Sequence, residues 1–461
     1  MRIRSFFACL LSLAVFACGD DDGATPTPDA GSPGVDAASP MPEDAGGLPP
    51  LELEDPADGF TRHVIDDAAL GPAFGDLADL DGDGDLDIVY GHFGLLENPT
   101  RLPNGEVVIY RQGDSIEDWT REAVVRPEDA LQWPNDVTFE DVDEDGDLDV
   151  LVPHGFLICN LFRRPCGGLA WFENEGGEWV RHTLIEAGND EFYHLGLLED
   201  LDGDGRLDLL TVAELFSPMG EGGARTVWFR GADTPERFET TPRTILADAG
   251  GSVPEPYDVD EDGDLDIVTA EFFTGTASFV WIEQVSAPTA ESDGEWTRHV
   301  IDTEPGPSIE MFVVEGLFEA GDRWAVGSNH VNVHEEGIDS AIFGYRIPDG
   351  EDAREESWAR TVFSEGIVAK ENEGVERNAA PGIFGEGDID GDGDTDFVVS
   401  GDGDPDVYWL EQIDGAFETH VLQPNLPQAG GMKVADLDGD GRAEILVSGY
   451  EQNVVLLFQH D

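Results

Sequence analysis

One phrase holds the densest run of ligand atoms in the chain: Asp-Leu-Asp-Gly-Asp-Gly-Asp-Leu-Asp, residues 79–87. Asp79, Asp81, Asp83 and Asp87 put side-chain oxygens at positions 1, 3, 5 and 9, and the Asp85 carbonyl is available at position 7. Gly84 at position 6 lets the chain wrap sharply around an ion. A flexible cage built of oxygen alone is what calcium prefers. The phrase returns five times. Asp141, Asp143, Asp145 and Asp149 form the second set with the Asp147 carbonyl, and Asp200, Asp202, Asp204 and Asp208 the third with that of Arg206. Asp258, Asp260, Asp262 and Asp266 follow with Asp264, then Asp388, Asp390, Asp392 and Asp396 with Asp394. The last set is Asp436, Asp438, Asp440 and Glu444, with Arg442 at position 7. Arginine is tolerated there because only its backbone would touch the ion, and Glu444 keeps a carboxylate at position 9. About six Ca2+ sites are expected. Acidic turns without metal are the alternative, and six matches at regular spacing speak against it.

The elements that must hold these loops are short strands. The loops recur about every 60 residues, counting a degenerate copy at Gly316 that lacks the carboxylates and is expected to hold no metal. An apolar run precedes each loop and another follows it, as in Asp149-Val-Leu-Val152. Farther on comes a tryptophan-centred strand (Leu169–Glu173, Thr226–Arg230, Phe279–Glu283, Val407–Glu411), then an alternating one such as Trp296-Thr-Arg-His-Val-Ile301. Helical periodicity is absent and Gly, Pro or Asp bounds each run. Four strands per unit and seven units predict an all-β fold, a seven-bladed β-propeller. The last unit ends at its third strand, Val454–Phe458, while a spare fourth strand, Phe60-Thr-Arg-His-Val-Ile65, precedes the first loop. That N-terminal strand is expected to complete the final blade and remove an open edge.

Composition narrows the setting. Asp and Glu number 100 against 24 Lys and Arg, for a formal net charge of -76. Such a chain lacks the basic clusters that nucleic acid or an anionic lipid surface needs, so no nucleic-acid partner is expected. Hydrophobic residues make up 40 %, enough for a packed core. Residues 1–18 read as a signal peptide: Arg2 and Arg4, the apolar run Phe6–Ala17, then Val15-Phe16-Ala17-Cys18, which resembles a bacterial lipobox. Cys18 is the expected lipidation site, making the membrane a partner only through a lipid anchor. The expected location is the bacterial outer membrane or cell surface, with periplasm or secretion as the alternative. Residues 19–58 are rich in Asp, Pro, Ala and Gly and read as a disordered stalk, leaving 59–461 as the folded part. In an oxidising compartment Cys159 and Cys166 are expected to form a local disulfide; their spacing does not suit zinc.

Phe74-Gly-Asp-Leu-Ala-Asp-Leu-Asp-Gly-Asp-Gly-Asp-Leu-Asp-Ile-Val-Tyr-Gly91 resembles an FG-GAP/VCBS repeat, and residues 59–461 resemble the integrin α N-terminal propeller. Most copies lack the Phe-Gly and Gly-Ala-Pro flanks of integrin repeats, so they look closer to the bacterial VCBS type. The resemblance implies a calcium-binding propeller, in a family that spans adhesins, surface proteins and the propeller domains of polysaccharide lyases.

Each loop joins a unit's first strand to its second, so the start of the first and the end of the second share the opposite face. Counting 13 or 14 residues past each loop start gives His92, His154, Glu214, Glu271, His330, Asp402 and Tyr450. First-strand starts add Asn135, Asp136, His194, Glu255, Glu310 and Lys433. These imidazoles and carboxylates could bind sugar hydroxyls or transfer protons; the plainer reading is that strand ends are polar because they meet water. His63, His182, His299 and His420 repeat in the fourth strand and read as structural, as do Trp171, Trp228, Trp281 and Trp409. No Gly-x-Ser-x-Gly or His-Glu-x-x-His signature is present, so the sequence favours a surface module binding glycan or protein over its alternative, a polysaccharide-degrading enzyme.

Overall fold

The computed structural model describes residues 53–94, 103–157, 167–215, 222–247, 249–273, 279–333, 337, 339–370 and 379–461. The signal peptide with Cys18, most of the stalk and the Cys159–Cys166 pair lie outside the described residues.

Seven four-stranded antiparallel sheets follow one another along the chain. The first blade consists of Pro72–Ala78, Asp87–His92, Glu106–Gln112 and Trp119–Val125, in that order from the channel outwards. The second strand of this blade is buried along its whole length, and so is that of the next, Asp149–His154. Layers on both sides explain why these strands read as continuous Val, Ile and Leu. Fourth strands alternate instead, leaving Val64, Val300 and Val421 48 %, 48 % and 43 % exposed on the rim.

The expected all-β seven-bladed propeller is thus the observed fold. Its closure is also as expected. Phe60–Asp66 pairs antiparallel with Val454–His460, with Phe60 opposite His460 and His63 opposite Leu457. The final blade therefore draws its fourth strand from the far end of the folded chain. Among the described residues, apolar clusters lie between each pair of neighbouring blades. The one joining last to first packs Leu446, Val455 and Leu457 against Ile88, Tyr90 and Val108.

The repeated tryptophans and histidines form one unit. Trp171 stacks on His182 at 4.2 Å between centroids, and His182 Nε2 meets Glu173 Oε2 at 2.7 Å. Trp281, His299 and Glu283 repeat it at 4.3 Å and 2.6 Å. Trp409, His420 and Glu411 form a looser copy, at 5.2 Å and 2.9 Å. Other blades put arginine opposite the aromatic ring. Arg243 lies over Trp228, while Arg121 and Arg360 pair with Asp66 and Asp302, which also accept the Tyr110 and Tyr345 hydroxyls. Asp66 and Asp302 end the fourth strands of the preceding blades, so these pairs also link one blade to the next.

Candidate functional site

The aspartate loops adopt the same wrap in successive blades. Asp79 accepts the Gly82 and Gly84 N–H groups at 2.8 and 3.1 Å, and Asp388 accepts those of Gly391 and Gly393 at 2.8 and 3.0 Å. Position 6 sits at φ of +100° in Gly84 and Gly146 and +95° in Gly263, a left-handed conformation that glycine adopts without strain. Carboxylate oxygens from positions 1, 3 and 5 converge to within 4.8 Å in the loops starting at Asp79, Asp141, Asp258 and Asp388; Asp200, Asp202 and Asp208 do so in the third loop. These Asp triplets could hold a metal ion, and an all-oxygen donor set fits a hard divalent cation.

Position 9 has a second task. Asp149 accepts the Val142 N–H at 3.0 Å and the Asn174 N–H at 2.9 Å, fastening the loop to the third strand. Asp266 does the same with Val259 and Gln284 at 3.0 and 2.8 Å. Position 7 behaves as a backbone position: the Arg206 side chain is exposed, and that of Arg442 turns to the carbonyls of His460 and Asp461. In the fifth blade Arg323 starts the second strand, where its counterparts start with Asp or Glu. The loop before it is held by Asp322, whose carboxylate takes the Phe318 and Glu319 N–H groups and the Trp324 indole.

Across the ring, first-strand starts and second-strand ends enclose a cavity of about 520 Å³. His194, His330 and Asp402 line it, with Glu255, Glu310 and Lys433 from the first strands and Asp136 from just before one. His92, His154, Glu214 and Glu271 do not: they are 0 %, 1 %, 0 % and 0 % exposed and pack behind the wall. His92, His154 and Glu214 still belong to their strands, whose side chains at that point turn between blades, whereas His330 and Asp402 lie just past theirs. Glu271 is held by the Arg298 guanidinium, and Tyr450 lines a smaller recess beside the cavity.

Two histidine–carboxylate groups face the cavity. Nε2 of His194 meets Glu214 at 2.8 Å, and its Nδ1 lies 3.1 Å from Asn135 and 3.4 Å from Asp136. Burial opposes a charge on this ring, but the Glu214 and Asp136 carboxylates outweigh it and raise its pKa to about 9. His194 is an imidazolium at neutral pH. His330 lies between the Pro381 carbonyl, 2.8 Å from Nδ1, and Asp402, 3.5 Å from Nε2. Buried His92 is the opposite case: desolvation, helped by Arg121, takes it down to about 3 and keeps it neutral.

The cavity acids stitch neighbouring blades together. Glu255 accepts the Val313 N–H at 2.7 Å, and Glu310 accepts that of Phe384 at 2.8 Å. Burial pushes both carboxyls up to about 8, so both carry a proton at pH 7. The sequence reading missed the aromatic wall: Phe74, Phe156, Phe272, Phe273 and Phe312 are half-buried around the same space. A signal existed, since a Phe stands one or two residues after His92, His154 and Glu271.

Residues 79–152, 200–269 and 388–447 match the FG-GAP-like repeat family, so the chain carries FG-GAP-like repeats. No curated protein matches the chain. Among solved structures it is similar to an α-L-arabinanase of Penicillium chrysogenum complexed with arabinobiose, at 9 % identity and TM-score 0.45, covering 87 % of this chain and 98 % of that one. An α-L-arabinofuranosidase of Fusarium graminearum gives 10 %, 0.45, 88 % and 98 %. The rhamnogalacturonan lyase YesW gives 13 %, 0.43, 88 % and 75 %.

Proposed function

We propose that this propeller acts on an extracellular glycan held in the channel-mouth cavity, and that it cleaves the glycan by acid–base chemistry. One observation carries the reading. Glu310 is held protonated in an aromatic-walled cavity, close enough to the Asp136 carboxylate to be raised by it, while Asp136 is paired with the His194 imidazolium. A carboxyl raised by burial beside a carboxylate paired with a histidine divides the roles of acid and base. Glu310 donates the proton to the departing oxygen; Asp136, oriented by His194, accepts one from water or stabilises positive charge on the sugar. Phe rings exclude water and pack against sugar C–H faces. In this reading the loops on the other face hold Ca2+ for structure, and a lipid on Cys18 tethers the ring, which a Cys18→Ser variant released into the medium would show.

The test offers the intact protein a panel of polysaccharides and follows both new reducing ends and the ultraviolet absorbance of an unsaturated product. Turnover that Glu310→Gln abolishes, with the fold intact, is expected. A polysaccharide bound without product would replace catalysis by a non-catalytic glycan-binding role, the reading that the missing catalytic signatures favour.

A further inference from the structure

The carboxyl groups of the cavity outnumber its basic groups. Each basic group on the wall already has a carboxylate of its own: Lys433 faces Asp76 at 3.6 Å, His194 has Asp136 and Glu214, and His330 has Asp402. Glu255, Glu310 and Glu386 remain, with no salt-bridge partner among the described residues. Glu255 and Glu310 each have one oxygen on a backbone N–H of the next blade. Glu386 Oε2 is shut off from solvent and makes no hydrogen bond among the described residues. Between these acids stand the faces and edges of five half-buried Phe rings. Phe272 sets its ring on edge to Phe273 and His330, at centroid separations of 5.0 and 5.6 Å.

Surplus acid among aromatic rings is complementary to an organic cation. A ring face attracts an ammonium group through its quadrupole, more strongly where water is excluded. An uncharged hydroxyl leaves these carboxyls without a cation, and a uronate carboxylate would add one more acid to them. The whole chain acts in the same direction, since a net charge of -76 draws polycations towards it and pushes polyanions away. We infer that the cavity takes a cationic saccharide unit, an amino sugar whose nitrogen is a free ammonium rather than an amide. This inference rests on the glycan reading above and names the substrate class of that site. Glu255 stands protonated in the empty cavity because burial raises it, with Glu386 adding repulsion, and an ammonium beside these two favours the ionised form of Glu255 while Glu310 keeps its proton. Binding then releases protons to the buffer.

The experiment is a calorimetric titration of the calcium-saturated protein with four probes: a glucosamine tetramer, its N-acetylated counterpart, a galacturonate tetramer and tetramethylammonium. The glucosamine tetramer should bind at least about tenfold more tightly than the acetylated one, as one well-placed cation–aromatic contact allows. Phe272→Leu, which keeps the apolar bulk and removes the quadrupole, should erase most of that ratio; Glu386→Gln, nearly isosteric, should do the same if the leucine variant does not fold. Equal binding of the two hexosamine probes, or galacturonate binding as tightly, overturns the cationic inference and leaves the glycan reading standing. Binding of tetramethylammonium with no binding of any saccharide overturns the glycan reading, and with it the amino-sugar assignment. If none of the four binds, the inference falls.

Discussion

Glu310 shows how one side chain ties stability to the site. Its Oε2 accepts the Phe384 N–H; Asp136 faces it with negative charge and Lys433 with positive. Burial is the largest influence and lifts the carboxyl to about 8. Glu255 is also lifted to about 8, chiefly by burial, with Glu386 and Glu310 adding repulsion against the Val313 N–H. The unfolded chain releases these protons near pH 4.3. Between there and pH 8 the folded state binds protons that the unfolded state has lost, so stability is full at the acidic end and declines as pH rises. With calcium held saturating, the melting temperature of the wild type is therefore expected to fall from pH 5 to pH 8. Glu255→Gln/Glu310→Gln should melt with a flatter profile over that range. An equally steep profile in the double variant would contradict the assignment.

The loops are alike in sequence and differ in what leans on them. Arg354, in the short helical turn Asp352–Glu355 of the fifth blade, reaches across to Asp260, to Asp262 at 2.9 Å and to Glu283 at 2.8 Å. Arg230 makes similar pairs with Asp202 and Asp204 in the third loop. In the loops starting at Asp141 and Asp388, no arginine pairs with positions 1, 3 or 5 among the described residues. A guanidinium a few ångströms from a divalent ion costs about 2 kcal/mol even under water-like screening. Calcium should therefore fill the second and sixth blades before the third and fourth. Arg354→Ala should tighten the fourth-blade site about tenfold, the equivalent of a slightly smaller energy. Calorimetry or terbium luminescence reads this directly, and weaker binding in the variant would show that Arg354 supports the loop instead. The sequence did not mark this difference, because Arg354 lies almost 90 residues beyond the loop it touches and only ring geometry brings the two together.

At the scale of the ring, the problem is the chain's net charge of -76, most of it on the propeller, with acidic loops gathered on one face. Blade-to-blade clusters of Val, Leu, Ile and Tyr hold it against that repulsion. A bound divalent cation removes two charges where they are densest, and a ligand that binds only the folded state stabilises it. At a hundredfold excess over the dissociation constant the gain is about 2.7 kcal/mol per site. Calcium sites of extracellular modules bind at about 10⁻⁴–10⁻³ M. Millimolar calcium should therefore raise the melting temperature by several degrees, and a chelator should reverse it. A melting curve indifferent to chelation would remove calcium from the proposal.

What the sequence determined by itself was whatever repeats. Seven periods of strand, loop, strand, strand and rim strand dictate the blade, and the spare Phe60–Asp66 strand dictates closure, because local pattern and edge pairing need no knowledge of distant neighbours. The acidic loops were legible for the same reason, since all the side chains of a loop come from nine consecutive residues. Only the tertiary structure decided which residues meet at the channel mouth. Spacing brought His92, His330 and Asp402 to the same end of their blades, but whether each points inward depends on where its strand stops. His92 is the last strand residue and turns between blades; His330 follows the end of its strand and faces the cavity. The protonation of Glu310 was equally out of reach, because it comes from burial among residues of several blades, and burial depends on closing the ring.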